Sequence, residues 1–170
     1  MRIFKEEQRF TQTWLMILIS ISICIPLIII VNEFAKENST MSTNEFLFSS
    51  SLLVICIVPI FFFKLKTRID AIGVHYQFFP FHFSAKTITW SEIKSINTRK
   101  YYAITEYGGW GLKSNFLSRK SKGIAYTVSG DLGIQLVLQN GKKILIGTKK
   151  ENDVDAALKN HENKLSTNEI

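Results

Sequence analysis

The sequence contains little cysteine and proline, with two cysteines and three prolines among 170 residues. Two cysteines are too few for a disulfide-stapled scaffold, and the low proline content excludes a collagen-like chain. A hydrophobic fraction of 46% excludes intrinsic disorder. Charge is absent from two long segments, Thr11–Val31 and Phe46–Phe63. Uncharged segments of this length disfavour a simple cytosolic enzyme and indicate a membrane-anchored small domain.

Two apolar runs, Trp14–Val31 and Phe46–Phe63, each contain 18 residues. As helices they would be about 27 Å long, close to the ~30 Å hydrocarbon core of a bilayer. We predict two transmembrane helices, since a helix satisfies its own backbone polar groups in lipid. A buried core helix is disfavoured because the rest of the chain is too short to cover two of them. A cleaved signal peptide is disfavoured because the first run exceeds the usual apolar length.

The basic residues near these runs predict their orientation. Three lie before the first run, one lies between the runs and three follow the second run. Since cytoplasmic flanks carry an excess of Lys and Arg, we predict a multi-pass protein of the inner (cytoplasmic) membrane with both termini in the cytoplasm. The predicted segments are a cytoplasmic flank (1–13), transmembrane helix 1 (14–31), an external loop (32–45), transmembrane helix 2 (46–63), a cytoplasmic domain (64–165) and a frayed tail (166–170).

The side chains inside the two runs favour anchoring over transport. Neither run contains an ionisable Asp, Glu, Lys, Arg or His, whereas ion paths and proton relays normally need one. Cys24 and Cys56 lie inside the runs and are interpreted as small apolar side chains. Four small serines favour close helix packing and leave open a structural subunit of a homo-oligomeric membrane assembly: Ser20, Ser22, Ser49 and Ser51.

After the second run the pattern is that of six or seven short antiparallel strands. The segments with strand character are Leu65–Asp70, Val74–Phe79, Ala85–Thr89, Lys94–Tyr102, Ile124–Val128, Gly133–Leu138 and Lys143–Ile146. Trp90–Ile93 predicts a short helical turn, and Asn140-Gly141 predicts a hairpin between the last two strands. Thr148–Glu151 fits a capping box. The apolar stripe of the helix that follows is Val154, Ala157, Leu158 and Leu165.

Several short motifs in this domain resemble the membrane-anchored bacterial PH-like domain proteins. They are Thr67–Asp70, Trp90–Ile93, Tyr107–Gly111, Gly123–Tyr126, Gly133–Leu136 and Ile144–Thr148. The resemblance covers residues 65–160 and implies a PH-like seven-stranded antiparallel barrel or sandwich with a C-terminal capping helix. It implies little about function. The turn Asp70–Gly73 lacks the basic cluster of phosphoinositide-binding PH domains, so that activity is not carried over.

The longest irregular segment, Thr105–Gly123, is the candidate site. It combines four glycines with aromatic and basic side chains, a composition that suits an anionic membrane surface or a protein interface. We predict that the domain binds a protein partner or anionic headgroups through Trp110, Lys113, Phe116, Arg119 and Lys120. The alternative is that Trp110 folds back on the domain and the basic residues are solvated.

Other functions are disfavoured by the residue pattern. His75, His82 and His161 have no cysteine nearby, whereas a zinc site needs three or four convergent ligands. The glycines near Trp110 lack the spacing of a phosphate loop, and nothing resembles a nucleophile elbow. Residues 64–170 have a net charge of +8, which the anionic inner leaflet explains more simply than nucleic acid does. We therefore expect that the protein is not an enzyme and that it has no cofactor, no metal and no nucleic-acid partner.

Overall fold

A computed structural model of the chain describes residues 3–114 and 123–161. The chain divides into two compact units. One unit is the segment Phe10–Phe62, and the other contains the described residues on either side of that segment.

The first unit consists of helices. They are α1 (Thr13–Phe34), α2 (Thr43–Ile57) and a 3₁₀ turn (Val58–Phe62). Ser42 caps α2 in a reciprocal pair with Glu45. Two helical segments, Thr13–Phe34 and Thr43–Phe62, are long and apolar enough to cross a membrane, and 6% and 0% of their apolar windows are buried. Such exposure is unlike the core helix of a soluble protein.

The second unit contains nine described strands in two sheets. The first sheet has the order β1-β2-β3-β4 and is antiparallel throughout. Its strands are β1 (Phe4–Arg9), β2 (Lys64–Ile69), β3 (Gly73–Phe79) and β4 (Lys86–Thr89). Gly73 has no room for a side chain, since a Cβ atom there would lie 2.1 Å from the carbonyl oxygen of Ile88.

The second sheet has the order β5-β8-β9-β7-β6. Its strands are β5 (Ile93–Lys100), β6 (Gly111–Ser114), β7 (Ile124–Thr127), β8 (Leu132–Leu138) and β9 (Lys143–Gly147). A 3₁₀ turn (Trp90–Glu92) precedes β5, and helix α3 (Ala103–Tyr107) precedes β6. The predicted Asn-Gly hairpin between β8 and β9 is confirmed, with Gly141 at a φ of 79°.

The core lies between the sheets and under the last helix, α4 (Glu151–Lys159). Tyr76 of β3 and Tyr126 of β7 pack with ring centroids 4.8 Å apart, which brings the two sheets into contact. Val154 and Ala157 of α4 are buried, as the apolar stripe predicts. Leu165 of that stripe lies outside the described residues. Helix α4 contacts β5 as well as β1 and β2, so it packs on both sheets.

The expectation of two helices followed by a mainly-β domain with a C-terminal helix is confirmed, with three differences. The described strands form two sheets and no closed barrel. They number nine, because β1 and β6 have no counterpart among the predicted segments. The pairing of β7 with β9 is parallel, whereas only antiparallel pairing was expected.

The predicted capping box at Thr148 is wrong. Helix α4 begins after Lys150, and no side chain caps it. The Thr148 hydroxyl instead donates to Glu6 Oε2 at 2.7 Å and accepts the N–H of Lys150 at 3.1 Å. Glu6 is a buried residue of β1, and its other oxygen accepts the N–H of Lys149 at 2.9 Å. The threonine therefore ties β1 to the start of α4.

Candidate functional site

Trp110, the central residue of the predicted site, packs against the domain. Its ring is partly buried against a cluster of Tyr101, Ala103, Tyr107, Ala125 and Leu145. The indole N–H donates to the carbonyl oxygen of Gly130 at 2.9 Å. This arrangement corresponds to the alternative in which Trp110 folds back on the domain.

The described part of the segment Thr105–Gly123 is more ordered than the sequence suggested. It contains the end of α3 and the whole of β6, in which Lys113 is half-buried and pairs with Ala125. Phe116, Arg119 and Lys120 lie outside the described residues. The structure thus describes two of the five predicted site residues. Trp110 packs against the core cluster, whereas Lys113 lies on strand β6.

Helix α3 is fastened to β5 by one arginine. Arg99 donates to both carboxylate oxygens of Glu106, at 3.3 and 3.0 Å, and to Gln135 Oε1 at 3.1 Å. Glu106 also accepts the N–H of Tyr102 at 2.9 Å. A bidentate arginine–carboxylate pair has a fixed geometry, so this pair fixes the position of α3 against β5.

A second candidate surface is the outer face of the first sheet. Its residues alternate with the buried ones along β1, β2 and β3. Five cations lie on this face: Lys5, Arg9, Lys64, Lys66 and Arg68. We call them the cationic face. A cleft of about 420 Å³ runs over it, and its lining includes Lys5, Lys66, Arg68, His75 and Gln77.

The strand register opposes like charges on the cationic face. Lys5 lies directly across from Arg68, and Arg9 directly across from Lys64. Like charges directly opposite one another destabilise a sheet. Glu7 compensates in part, since its carboxylate lies 3.0 Å from Arg9, 3.3 Å from Lys64 and 3.8 Å from Lys66. The hydrogen bond from Arg9 lowers the pKa of Glu7, and Lys64 adds to the effect.

At one end of this face Asp70 organises the turn between β2 and β3. Its carboxylate pairs with Arg68 at 2.8 Å and accepts the His75 Nε2–H at 3.0 Å and the Ile72 N–H at 2.9 Å. Burial alone would raise the pKa of Asp70. The hydrogen bonds from His75 and from the backbone outweigh burial and lower that pKa from 3.8 to about 2. The charge of Arg68 is thus largely satisfied within the chain, whereas Lys5 forms no ion pair with any residue that the structure describes.

At the other end of the sheet an aromatic loop joins β3 to β4. We call residues 80–85 the β3–β4 loop. Phe79 is the register partner of Lys64, so the loop lies at the end of the sheet where β1 and β2 connect to the helical segment. Phe83 is 85% exposed and Phe81 is 56% exposed. Two large aromatic rings therefore project from a single short loop of the β domain.

The backbone of the β3–β4 loop is held firmly. Gln77 Nε2 donates to the carbonyl oxygens of His82 and Phe83, at 3.2 and 2.9 Å. The His82 N–H donates to the Phe78 carbonyl oxygen at 2.8 Å, and the Phe78 N–H donates to His82 Nδ1 at 3.4 Å. Burial lowers the pKa of His82, with a smaller contribution from Lys86, which keeps Nδ1 available as an acceptor.

The rings at the base of the loop are also packed. The Phe81 ring lies 5.7 Å from that of Phe63 and 5.9 Å from that of Phe78, measured between centroids. The His82 ring lies 5.2 Å from that of Tyr126. Phe63 immediately follows the second apolar helical segment in the chain. The outer part of Phe81 and nearly all of Phe83 are left without cover.

Sequence reasoning missed both features of the first sheet. It treated Lys66 and Arg68 as residues before the first hairpin turn and as flanking charges of a helix, not as part of a charged sheet face. It ended a strand at Phe79, before Pro80, and gave Phe81 and Phe83 no role. The available signal was the run Phe78–Phe83, which contains four phenylalanines in six residues. A cluster of that kind beyond a strand end is unusual for a solvent-exposed turn.

Neither metal-ligand geometry nor similarity to known proteins assigns a function to the described residues. Within residues 3–114 and 123–161, no three His, Cys, Asp or Glu side chains are grouped so that they could hold a metal ion. The chain matches no protein-family model and no curated protein.

Proposed function

We propose that this protein is a membrane-anchored binding module. Its two apolar helices cross the cytoplasmic membrane as a hairpin, and its β domain, of PH-like type, is held at the inner leaflet. There the domain contacts a protein partner or anionic headgroups, with the segment around Lys113 as one binding surface. The observation that carries the proposal is the pairing of the strands on either side of the helical segment.

Strands β1 and β2 flank the helices in sequence and pair with each other in the sheet. Arg9, before the first helix, is the register partner of Lys64, after the second helix. Two segments that share backbone hydrogen bonds lie on the same side of a membrane. A hairpin of two crossings meets this condition, whereas a single crossing by either helix alone violates it. This support is independent of the charge distribution.

The charges favour the cytoplasmic side for the β domain. Five cations occur on the face formed by β1 and β2, and Lys36 is the single cation between the helices. Since cytoplasmic segments near membrane helices carry the excess of Lys and Arg, the sheet belongs inside. The anionic inner leaflet attracts such clusters.

The fold of the β domain supports a PH-like binding module. Two packed sheets and a C-terminal amphipathic helix match the outline expected from the motifs between Thr67 and Thr148. The parallel pairing of β7 with β9 and the additional strands β1 and β6 depart from that outline. A domain with a solid core between its sheets binds through its surface, which suits a scaffold or adaptor.

The test is carbonate extraction followed by crosslinking and co-purification from native membranes. We expect the protein to stay in the membrane pellet and to capture a partner.

A fourfold variant, K113A, F116S, R119A and K120A, should lose that partner. The control variant K94A with K142A replaces exposed cations elsewhere on the domain and should retain it. Trp110 is left unchanged because its ring packs on the core. Release of the protein by carbonate, or an unchanged partner set in the fourfold variant, would overturn the proposal. A ladder of self-crosslinks alone would favour the homo-oligomeric subunit instead.

A further inference from the structure

We propose that the first sheet is a lipid-docking surface: Phe81 and Phe83 of the β3–β4 loop insert into the headgroup–acyl boundary, and the cationic face binds anionic phospholipid headgroups. This inference rests on the proposed membrane anchoring and adds a lipid contact outside the helices. It locates that contact away from the segment around Lys113.

The segments that connect this end of the first sheet to the two helices are short. Arg9 is four residues before the start of α1, and Lys64 is two residues after the end of the second apolar segment. An extended chain spans at most about 3.6 Å per residue, so neither residue is more than about 14 Å of backbone from a helix end. Since Phe79 pairs with Lys64, the β3–β4 loop begins beside the residue that has the shorter of these two connections.

The loop has the chemistry of an interfacial anchor. Gln77 and His82 fix its backbone, so the exposure of Phe83 is a property of an ordered loop. Exposed apolar rings on an ordered surface mark sites of interaction. Aromatic rings beside cations are the combination that lies at the boundary of headgroups and acyl chains.

The charges complement an anionic lipid surface. Arg9 faces Lys64 across the strands, at a cost to the sheet that Glu7 only partly offsets. Lys5 faces Arg68, which pairs with Asp70, and Lys5 itself has no ion pair with any residue that the structure describes. Anions near these pairs would relieve the repulsion. Phosphatidylglycerol headgroups supply a dense layer of such anions, and each nearby Lys or Arg strengthens the attraction.

The two ends of the first sheet differ in their exposed apolar side chains, and this difference determines which end docks on the lipid. The β3–β4 loop carries two exposed phenylalanines and has Lys86 next to it. The opposite turn carries Asp70 and a single exposed apolar side chain, Ile72, which is 61% exposed. Ile72 therefore provides a matched control position at the far end of the same sheet.

The experiment places an environment-sensitive fluorophore at each end of the sheet. In the full-length chain with Cys24 and Cys56 replaced by alanine, single cysteines are introduced as Ser84→Cys or Ile72→Cys and labelled with a nitrobenzoxadiazole probe. Each protein is reconstituted into vesicles of phosphatidylcholine with phosphatidylglycerol, with and without a nitroxide quencher on the acyl chains. We expect blue-shifted, quenched emission at position 84 and solvent-like, unquenched emission at position 72.

Five further comparisons separate the contributions of the aromatic ring, the cations and the lipid. Phe83→Ser should lower the ratio of docked to undocked label at position 84 by about tenfold or more. Lys66→Gln should lower it about fivefold, the effect of one cation at an anionic surface, while Lys142→Gln on the β8–β9 turn should leave it unchanged. Vesicles of phosphatidylcholine alone should also lower the ratio of docked to undocked label at position 84. Added inorganic phosphate should have no effect, and displacement by phosphate would overturn the assignment to lipid.

Failure of the docking proposal is distinguishable from failure of the anchoring proposal. If the label at position 84 is as solvent-exposed as that at position 72 while the protein resists carbonate, the docking surface is wrong and the anchor stands. If carbonate releases the protein, the proposed anchoring itself is wrong, and the docking surface proposed on it falls with it.

Discussion

At the residue scale, Asp70 shows how one buried carboxylate organises a turn and a surface. It accepts hydrogen bonds from the backbone of Ile72 and from His75, and it pairs with Arg68. His75 is held from its other side by Thr87 at 2.8 Å. These contacts favour the ionised carboxylate, so Asp70 stabilises the fold more when charged than when protonated.

This difference predicts a specific pH dependence. The pKa of Asp70 is lowered from 3.8 to about 2 in the folded protein, so its charge-dependent stabilisation is complete above pH 3.8 and is lost as the pH falls toward 2. Asp70→Asn keeps an acceptor for the turn but removes the charge, and should cost about 1–3 kcal/mol near neutral pH. The difference from wild type should shrink as the pH falls through this window.

Thermal unfolding of the detergent-solubilised protein, followed by circular dichroism between pH 7 and pH 2, measures this effect. Glu37→Gln, at an exposed position between the two helices, is the control and should track the wild type throughout. A difference between Asp70→Asn and wild type that stays constant across the whole range would contradict the role assigned to the Asp70 charge.

Glu6 and Thr148 show why a local motif misled the prediction. The spacing from Thr148 to Glu151 satisfies a capping box, but Thr148 donates to Glu6, 142 positions away in sequence. A buried carboxylate needs hydrogen-bond donors, and the hydroxyl of Thr148 and the N–H of Lys149 supply them. No local pattern reveals a partner brought in by a distant strand.

At the element scale, the sequence predicted the strands whose inward positions are apolar. All seven predicted strands exist, because alternation of apolar and polar residues follows the pleat. Strand β1 was missed because two of its three buried side chains, Glu6 and Gln8, are polar. Gln8 Nε2 donates to the Gly147 carbonyl oxygen at 2.8 Å. Strand β6 was missed because it is four residues long and begins in a glycine-rich segment.

The β3–β4 loop is an element whose order depends on one side chain. Gln77 donates to two loop carbonyl oxygens, and each such bond contributes about 1 kcal/mol. Gln77→Ala should therefore raise amide hydrogen exchange in the loop by about tenfold or more, without changing exchange in β8 or β9. Hydrogen exchange with mass spectrometry measures it.

Gln139→Ala is the matched control, since Gln139 is exposed on the β8–β9 turn and should leave exchange in the β3–β4 loop unchanged. If Gln77→Ala also leaves loop exchange at the wild-type value, the loop is not held by Gln77, and its exposed rings cannot be attributed to that support.

At the scale of the whole molecule, two apolar helices interrupt a β domain between its first and second strands. The sequence predicted the helices from length and lack of charge. It assigned the residues before them to a flank, whereas six of those residues are strand β1 of the domain. Strand β1 precedes the helices, β2 follows them, and the two strands pair with each other. The helices are therefore an insertion into the β domain.

The central claim is that both helices cross the bilayer and leave the β domain on the cytoplasmic side. The direct measurement is labelling of single cysteines, Asn38→Cys between the helices or Ile72→Cys in the β domain, with a membrane-impermeant maleimide in intact cells. Both positions are exposed, and Cys24 and Cys56 are replaced by alanine. We expect the maleimide to label the cysteine at position 38 in intact cells and the cysteine at position 72 only after permeabilisation. Labelling of position 72 in intact cells, or protection of position 38, would contradict it.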